Sequence, residues 1–317
     1  MKKIIFIRQA VPGGTDNYCK ALYQMFSQHE YYRAEQIEDY PIIPSRLFHY
    51  YYKKKPLKNA IKNADIVHVN GYTAMGTVQA LWYAKRMKKK VIYTAHWHPF
   101  KFLRHPLFGK LFFTLILKPT IKHCVKTVIT INHDDTRFFQ SFHKQVIQIP
   151  HWYKPEMQLR YPPKKQNMIL FVGRINDPVK GIEHLYYLPK DAYEVHCVGK
   201  GNLKRKDFIQ HINISNEELN YLYEQAALLV VPSKYEAFSY VALEALRCNT
   251  PVLMSQNVHI ADHLGTTKGY QVFKYGNINE FLNKINETIQ EKVDIREINE
   301  IFNPITIKQK YIQIYSQ

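Results

Sequence analysis

Four cysteines in 317 residues, Cys19, Cys124, Cys197 and Cys248, lie too far apart to form a CxxC pair. Their spacing argues against a zinc site or a disulfide framework and for a reducing compartment. No apolar run approaches the ~20 residues needed to span a bilayer. The longest, Leu111 to Leu117, is bounded by Lys110 and Lys118. The apolar run at the start of the chain ends at Arg8, too short for a leader's core, and reads as a first buried strand. The GxGxxG dinucleotide fingerprint is missing, as are helix-turn-helix, zinc-finger and RRM signatures, internal repeats and low-complexity tracts. Acidic residues are scarce in one half only. Residues 1–150 carry 24 Lys and Arg against 8 Asp and Glu, whereas residues 151–317 carry 20 against 18. Nearly all of the formal net charge of +18 therefore sits in the first half. Such a field favours an anionic partner: membrane surface, nucleic acid or acidic polymer. A chain-wide lysine bias would not leave the second half balanced.

What is present is globular: 46% hydrophobic and 22% charged residues, in a length that allows two domains of ordinary size. Strand-like and helix-like stretches alternate, which implies parallel sheets with covered faces. In the first half, residues 3–7, 66–69, 91–94, 127–131 and 146–149 read as strands and 18–28, 77–88 and 134–141 as helices. Residues 50–62, basic and aromatic, read as a surface helix or loop. Residues 150–166, rich in Pro, Lys and Tyr and without periodicity, read as a linker. The pattern then resumes, with strands at 168–172, 193–198, 211–212, 228–231 and 252–254 and helices at 182–188, 216–225 and 239–247. The expected architecture is two doubly wound domains facing each other across a cleft, residues 1–155 and 165–300.

Ligands of open α/β sheets bind at the carboxyl ends of the strands, and several polar groups fall there. Glu236 lies in the loop after strand 228–231, and Glu244 one or two turns into the helix that follows. Arg174 ends the second domain's first strand and Lys180-Gly181 precede its first helix, so two cations could neutralise a diphosphate. Gly13-Gly14 follow the first strand, and Thr15-Asp16-Asn17 could cap the next helix, a turn suited to a phosphate or sugar oxygen. His96 and His98 end strand 91–94. Alternation would place both rings on one face, but no third metal ligand is nearby, and His96 reads as a polar group at the substrate. Asp134-Asp135 read as helix-start acids. Residues 101–113 mix apolar bulk with cations, which suits a membrane surface or, equally, a buried helix with snorkelling lysines.

The order of motifs resembles the family 4 retaining glycosyltransferases (the group 1 glycosyltransferases), whose fold is GT-B. The resemblance rests on Phe171-Val172-Gly173-Arg174, Lys180-Gly181, Val198-Gly199-Lys200-Gly201, Leu219-Asn220-Tyr221-Leu222-Tyr223, Pro232-Ser233-Lys234-Tyr235-Glu236-Ala237-Phe238-Ser239 and Glu244-Ala245. The eight-residue offset of Glu236 and Glu244 matches the family's paired glutamates. The tail, about residues 302–317, resembles the family's closing helix, which crosses back to the first domain. The resemblance implies that Glu236 meets the donor sugar hydroxyls and Glu244 the nucleotide ribose. Arg174 and Lys180 would clamp the diphosphate in place of a metal, with backbone N–H groups around Phe238 and Ser239 at the sugar or diphosphate. His96 and Gly14 would approach the reacting centre from the first domain, with Gly13 and His98 on the acceptor side. The implied enzyme is a metal-independent hexosyltransferase without cofactor. It would move a sugar from a nucleotide-diphosphate donor to a cell-surface glycan or lipid-linked acceptor such as lipopolysaccharide or capsule. It would be cytoplasmic, peripheral on the inner face of the membrane through its basic half, and would bind no nucleic acid. The chain departs from the family at Ala237 and Ser239, where Glu-Gly-Phe-Gly is usual. Arg174 and Lys180 stand one residue further apart than usual, and the third glycine of the first loop is missing around Thr15-Asp16. Alternatives are a sugar-nucleotide epimerase of the same fold, a basic nucleic-acid-binding module, and a non-catalytic paralogue suggested by the lost glycines.

Overall fold

The computed structural model describes residues 1–7, 14–27, 29–36, 42–45, 49–71, 74–96, 98, 100, 106–153 and 164–317. They divide into two compact units, Met1–His151 with Lys308–Gln317, and Trp152–Ile307.

In the first unit, six parallel strands form one sheet: β1 (Lys2–Ile7), β2 (Tyr32–Gln36), β5 (Ile66–Gly71), β6 (Lys90–Ala95), β7 (Thr127–Thr130) and β8 (Val146–Gln148), in the order β2-β1-β5-β6-β7-β8. β3 (Ile42–Ser45) and β4 (His49–Tyr52) pair as a separate antiparallel hairpin. The helices are α1 (Gly14–Ser27), α2 (Lys54–Lys62), α3 (Met75–Arg86), α4 (Pro106–Phe112), α5 (Lys118–Cys124) and α6 (His133–Gln140). The central strands are buried on both faces, as a sheet between two helical layers should be, and His68, Asn70 and Thr94 put polar groups into that interior. α1 buries Tyr18, Leu22 and Phe26 at helical spacing.

β2 escapes a reading by apolar runs because it lies at the sheet edge. Tyr32 and Ala34 are buried, but Arg33 between them is exposed, so only a short, half-covered face carries the signal. Residues 50–62 divide into β4 and α2. The helix buries Leu57 and Ile61 beneath its lysines. Residues 106–124 are helical throughout, with a π-helical turn at Phe113–Leu117 directly before Pro119. Proline has no N–H to continue the ladder, and the wider turn absorbs that break.

The second unit repeats the plan. β9 (Lys165–Val172), β10 (Glu194–Val198), β11 (Ile209–His211), β12 (Ala226–Val231), β13 (Val252–Ser255) and β14 (Tyr270–Phe273) form a parallel sheet ordered β11-β10-β9-β12-β13-β14. Around it run a 3₁₀ segment (Ile182–Tyr187) and α7 (Asn216–Gln225), α8 (Tyr240–Arg247), α9 (Ala261–Leu264), α10 (Ile278–Ile289) and α11 (Ile295–Ile301). Ser215 and Glu218 form a reciprocal capping box that starts α7. α9, β14, α10 and α11 fall between strand 252–254 and the tail helix, a stretch where the sequence pattern names no element. The chain order reverses between β9 and β12, so their carboxyl ends form this sheet's switch point, where open α/β sheets bind ligands.

The final helix, α12 (Pro304–Ser316), belongs to the first unit from Lys308 onward. Its last carbonyls accept from lysines of that unit: Lys90 Nζ meets Ile314 O at 2.6 Å and Lys126 Nζ meets Gln317 O at 2.8 Å. Both cations satisfy carbonyls that have no intrahelical partner and face the negative end of the helix dipole.

Candidate functional site

Glu236 sits five residues beyond the end of β12, and its backbone is fastened before its side chain is considered. Glu236 N donates to Asn257 O and His259 N donates to Glu236 O, both at 3.0 Å, a parallel bridge to the loop after β13. Its carboxylate Oε1 receives Lys180 Nζ at 2.8 Å and Ser233 Oγ at 2.8 Å. The ion pair is partly wet, with 26% of the Lys180 side chain and 12% of the Glu236 side chain exposed. Lys180 lies over the end of β9, since a Cβ on Gly173 would come 3.4 Å from its Cδ. Gly181 next to it has φ +68°, and a Cβ there would stand 1.9 Å from Pro232 O, so only glycine lets the two strand ends approach. Lys180 and Glu236 therefore meet at the β9–β12 switch point.

Arg174 is 76% exposed and bonds Asp177 through Nε, at 3.1 Å, and Nη2. Asp177 also accepts from Val179 N at 3.0 Å, and its carbonyl accepts from Lys180 N at 2.9 Å. Burial opposes ionisation of Asp177, but the Val179 N–H and the Arg174 guanidinium outweigh it and hold the carboxyl below its usual range. The extra residue between Arg174 and Lys180 thus falls in a turn built on Asp177.

Glu244 lies in the second turn of α8, where its Oε2 accepts from Tyr223 OH at 3.0 Å. Burial raises the Tyr223 phenol well above its usual value, with the negative charges of Glu244 and then Glu236 adding to it. The two carboxylates thus share one neutral phenol's surroundings. Ser239 is buried and caps α8, its hydroxyl accepting from Ala242 N at 3.4 Å. Phe238 is buried too, its ring 5.7 Å from Phe302. The side chains of Phe238 and Ser239 are thus used inside the unit, and only their backbone could face a donor. Ser239 has φ −142° and Ala237 is not among the residues with positive φ, so the loop needs glycine at neither position.

In the first unit, Gly14 opens α1, while Gly13 lies outside the described residues. His96 is buried, its Nε2 3.2 Å from Asn70 Oδ1 and its ring 4.5 Å from Tyr18. Burial lowers its pKa to about 3, so the imidazole is neutral and serves as a polar contact, not as a base near neutral pH. His98 does not share its face. β6 ends at Ala95, strand alternation stops there, and His98 packs 5.0 Å from Phe138. The aromatic cluster it joins is separate from the Tyr18–His151 neighbourhood of His96. The Asp135 N–H donates to Oδ1 of Asn132, the N-cap of α6, at 2.8 Å, which puts Asp135 in the helix's first turn.

Sequence reasoning missed Ser233, Asp177, Tyr223 and Asn70. Ser233 and Tyr223 stand inside the quoted motifs, and position could have marked them. Asp177 and Asn70 carry no pattern that identifies their partners.

Residues 156–303 match the family model of the group 1 glycosyl transferases. Two curated relatives are both uncharacterized glycosyltransferases of Methanocaldococcus jannaschii. One is 34% identical over 107 residues, covering 28% of this chain and 27% of its own. The other is 26% identical over 217 residues, covering 63% and 58%. The chain thus spans little more than half of the better-covered relative and about a quarter of the other. Among solved structures, sucrose-phosphate synthase of Thermosynechococcus elongatus superposes with a TM-score of 0.72 at 17% identity, over 100% of this chain and 99% of that one. Anabaena HepE in complex with UDP gives 0.73 at 15%, over the whole of both chains. The lipopolysaccharide outer core galactosyltransferase WaaB gives 0.70 at 15%, over 99% of each. At these identities the likeness is one of fold. The fold is GT-B, and within its second unit residues 156–303 are similar to the group 1 glycosyl transferases.

Proposed function

We propose that the protein is a family 4 type retaining glycosyltransferase that takes a sugar from a nucleotide-diphosphate donor and passes it to a glycan or lipid-linked acceptor without a metal. The observation that carries this reading is the Lys180–Glu236–Ser233 cluster at the β9–β12 switch point, inside the segment that matches the family. An ammonium has three donors. One bond to Glu236 leaves Lys180 two for phosphate oxygens, and the exposed Arg174 adds a planar fork suited to the same group. Glu236, held by Ser233 and Lys180, is placed to accept from sugar hydroxyls. Glu244, held by Tyr223, meets the ribose.

In the transfer, the acceptor oxygen bonds to the anomeric carbon as the carbon's bond to the phosphate oxygen breaks. The acceptor proton passes to the departing phosphate oxygen on the same face. Arg174 and Lys180 take up the charge that develops on that phosphate. Glu236 and Glu244 hold the donor and are not an acid/base pair. The negative φ of Ala237 and Ser239 means that the loop reaches its shape without glycine, which supports an active enzyme over a non-catalytic paralogue.

The test is a thermal-shift and hydrolysis screen with UDP-, GDP-, ADP- and CMP-sugars in the absence of added metal. UDP-sugars come first, because Anabaena HepE, of the same fold, has been solved with UDP and with UDP-glucose. Stabilisation and slow hydrolysis with one nucleotide class is the expected result. No response to any of them overturns the reading.

A further inference from the structure

His184, in the 3₁₀ segment that follows Gly181, is only 2% exposed, yet both of its ring nitrogens bond to backbone. Nδ1 stands 2.9 Å from Gly181 O and Nε2 3.2 Å from Gly276 N. A carbonyl only accepts and a backbone N–H only donates. Nδ1 therefore carries the proton and donates to Gly181, while Nε2 accepts from Gly276, so the ring is held in one tautomer. The two peptide groups belong to different strand ends. Gly181 closes the turn that carries Lys180, and Gly276 lies in the loop after β14. Phe273 and Phe281 pack 5.5 Å and 5.8 Å from the ring and supply its apolar surroundings. An apolar side chain would fill the same space, but the two hydrogen bonds need an imidazole.

The rest of the turn is fastened as well. Lys180 N donates to Asp177 O at 2.9 Å and Lys234 N to Val179 O at 2.7 Å. The Tyr275 ring lies beside Gly181, where a Cβ would come 3.5 Å from its Cε2, and its hydroxyl donates to Glu183 Oε1 at 3.0 Å. His184 and Tyr275 thus join the β9–β12 switch point to the end of β14.

Resting on the reading of Lys180 as a diphosphate contact, we propose that His184 is its positioning residue. The Nδ1–H grips the Gly181 carbonyl and fixes the turn from which the Lys180 ammonium reaches the phosphate oxygens. His184 itself touches no ligand. Lys180 Nζ stands on a flexible four-carbon stem, so the direction of its backbone decides which oxygens it meets besides Glu236. Losing the Nδ1 bond frees the Gly181 peptide to rotate, and Lys180 moves with it. Losing the Nε2 bond frees only the loop after β14. The two nitrogens therefore control different things, and that difference separates positioning from packing.

The probe is inorganic pyrophosphate, the group shared by nucleotide-diphosphate donors of any base or sugar, titrated calorimetrically into the full chain. H184N keeps an amide N–H where Nδ1 stands and loses the Gly276 bond. H184Q places its amide near Nε2 and loses the Gly181 bond. H184F keeps the bulk of a ring and loses both. Pyrophosphate affinity should fall ~3- to 10-fold in H184Q and H184F, the scale of one hydrogen bond, and stay within about twofold in H184N. Long-range nitrogen NMR of the unaltered chain with labelled histidine should show Nδ1 protonated and Nε2 bare, and it needs no variant to fold. Equal affinity in all three variants, H184N weaker than H184Q, or a protonated Nε2 beside a bare Nδ1 overturns the role. K180M tells its failure from that of the transfer reading. Pyrophosphate binding that K180M abolishes, with no response to any nucleotide sugar, overturns the transfer and leaves the role of His184 standing. Binding that K180M leaves intact, or no pyrophosphate binding by the unaltered chain, overturns the role.

Discussion

Each unit places a cluster of polar side chains against its sheet, and the two clusters solve opposite problems. In the first unit the members are neutral and sealed. His68 Nδ1 and Nε2 bond Tyr315 OH and Thr94 Oγ1, both at 2.7 Å, and Tyr18 OH bonds Tyr311 OH at 2.5 Å. Burial, with the nearby His96 adding to it, lowers the His68 pKa to about 3, and burial raises the phenols of Tyr18, Tyr311 and Tyr315. No member carries charge at neutral pH. This network fastens α12 through hydrogen bonds and rings: Tyr315 stands 5.1 Å from Phe26 and 5.8 Å from Tyr32. In the second unit the members are charged and partly wet: Lys180 with Glu236, Arg174 with Asp177. Where burial is complete, charge is excluded and the polar groups serve stability. Where a charged ligand is to be met, ion pairs persist at the edge of solvent and exchange partners at low cost.

Four experiments would break or sharpen this contrast. The largest effect belongs to the sealed network. Y315A should cost about 3–5 kcal/mol, the usual range for emptying a large buried aromatic, read as a loss in urea-unfolding stability. A cost below 1 kcal/mol would mean that α12 is not held by its rings. Next come the carboxylates of the second unit. E236A should lower turnover ~100-fold, about 2.7 kcal/mol of transition-state stabilisation, while nucleotide affinity stays nearly unchanged. E244A should do the reverse, weakening nucleotide binding by ~1.5–3 kcal/mol, the scale of hydrogen bonds to a charged group. If calorimetry and kinetics show the same loss of affinity for both, the division of labour between them is wrong.

Acidification acts gradually on the first unit's sealed network itself. His68 and His96 both have folded pKa values of about 3, below the ordinary ~6.5 of an unfolded histidine. The unfolded chain therefore binds these protons first. Stability is fully present above ~6.5 and falls toward pH 3, by about 1.4 kcal/mol per pH unit for each imidazole. Melting temperatures that stay level or rise between pH 7 and 5 would show that the imidazoles are not buried neutral. The smallest effect concerns the loop. A237G restores the family's residue where φ is already negative, so it should only loosen the unfolded chain, at about 0.4–1 kcal/mol of stability. A large gain in turnover would reveal a need for glycine that the backbone does not display.

Much of the second unit was legible in the sequence because its signals are local. A buried strand reads as an apolar run, and Pro232, Ser239 and the capping box of Ser215 and Glu218 mark element ends within a few residues. The glutamate offset was visible for the same reason. The partners were not. Lys180 and Glu236 are 56 positions apart, Tyr223 and Glu244 are 21, and His68 and Tyr315 are 247. Nothing in the local pattern around any one of them names the other.

The sequence by itself determined the alternating parallel architecture, the position of the paired glutamates after a strand and the concentration of positive charge in the first half. Each follows from composition or from periodicity over a few residues. Only the tertiary structure decided that His96 and His98 part company and that Asp177 fills the longer Arg174–Lys180 spacing. It also decided that Phe238 and Ser239 turn inward, and that Leu107, Leu111 and Leu115 stay outside while their neighbours go in. These outcomes depend on which strand ends are brought together and on which helix face is already occupied. Hydrophobicity alone is blind to that choice, because a leucine facing the core and a leucine facing outward read the same.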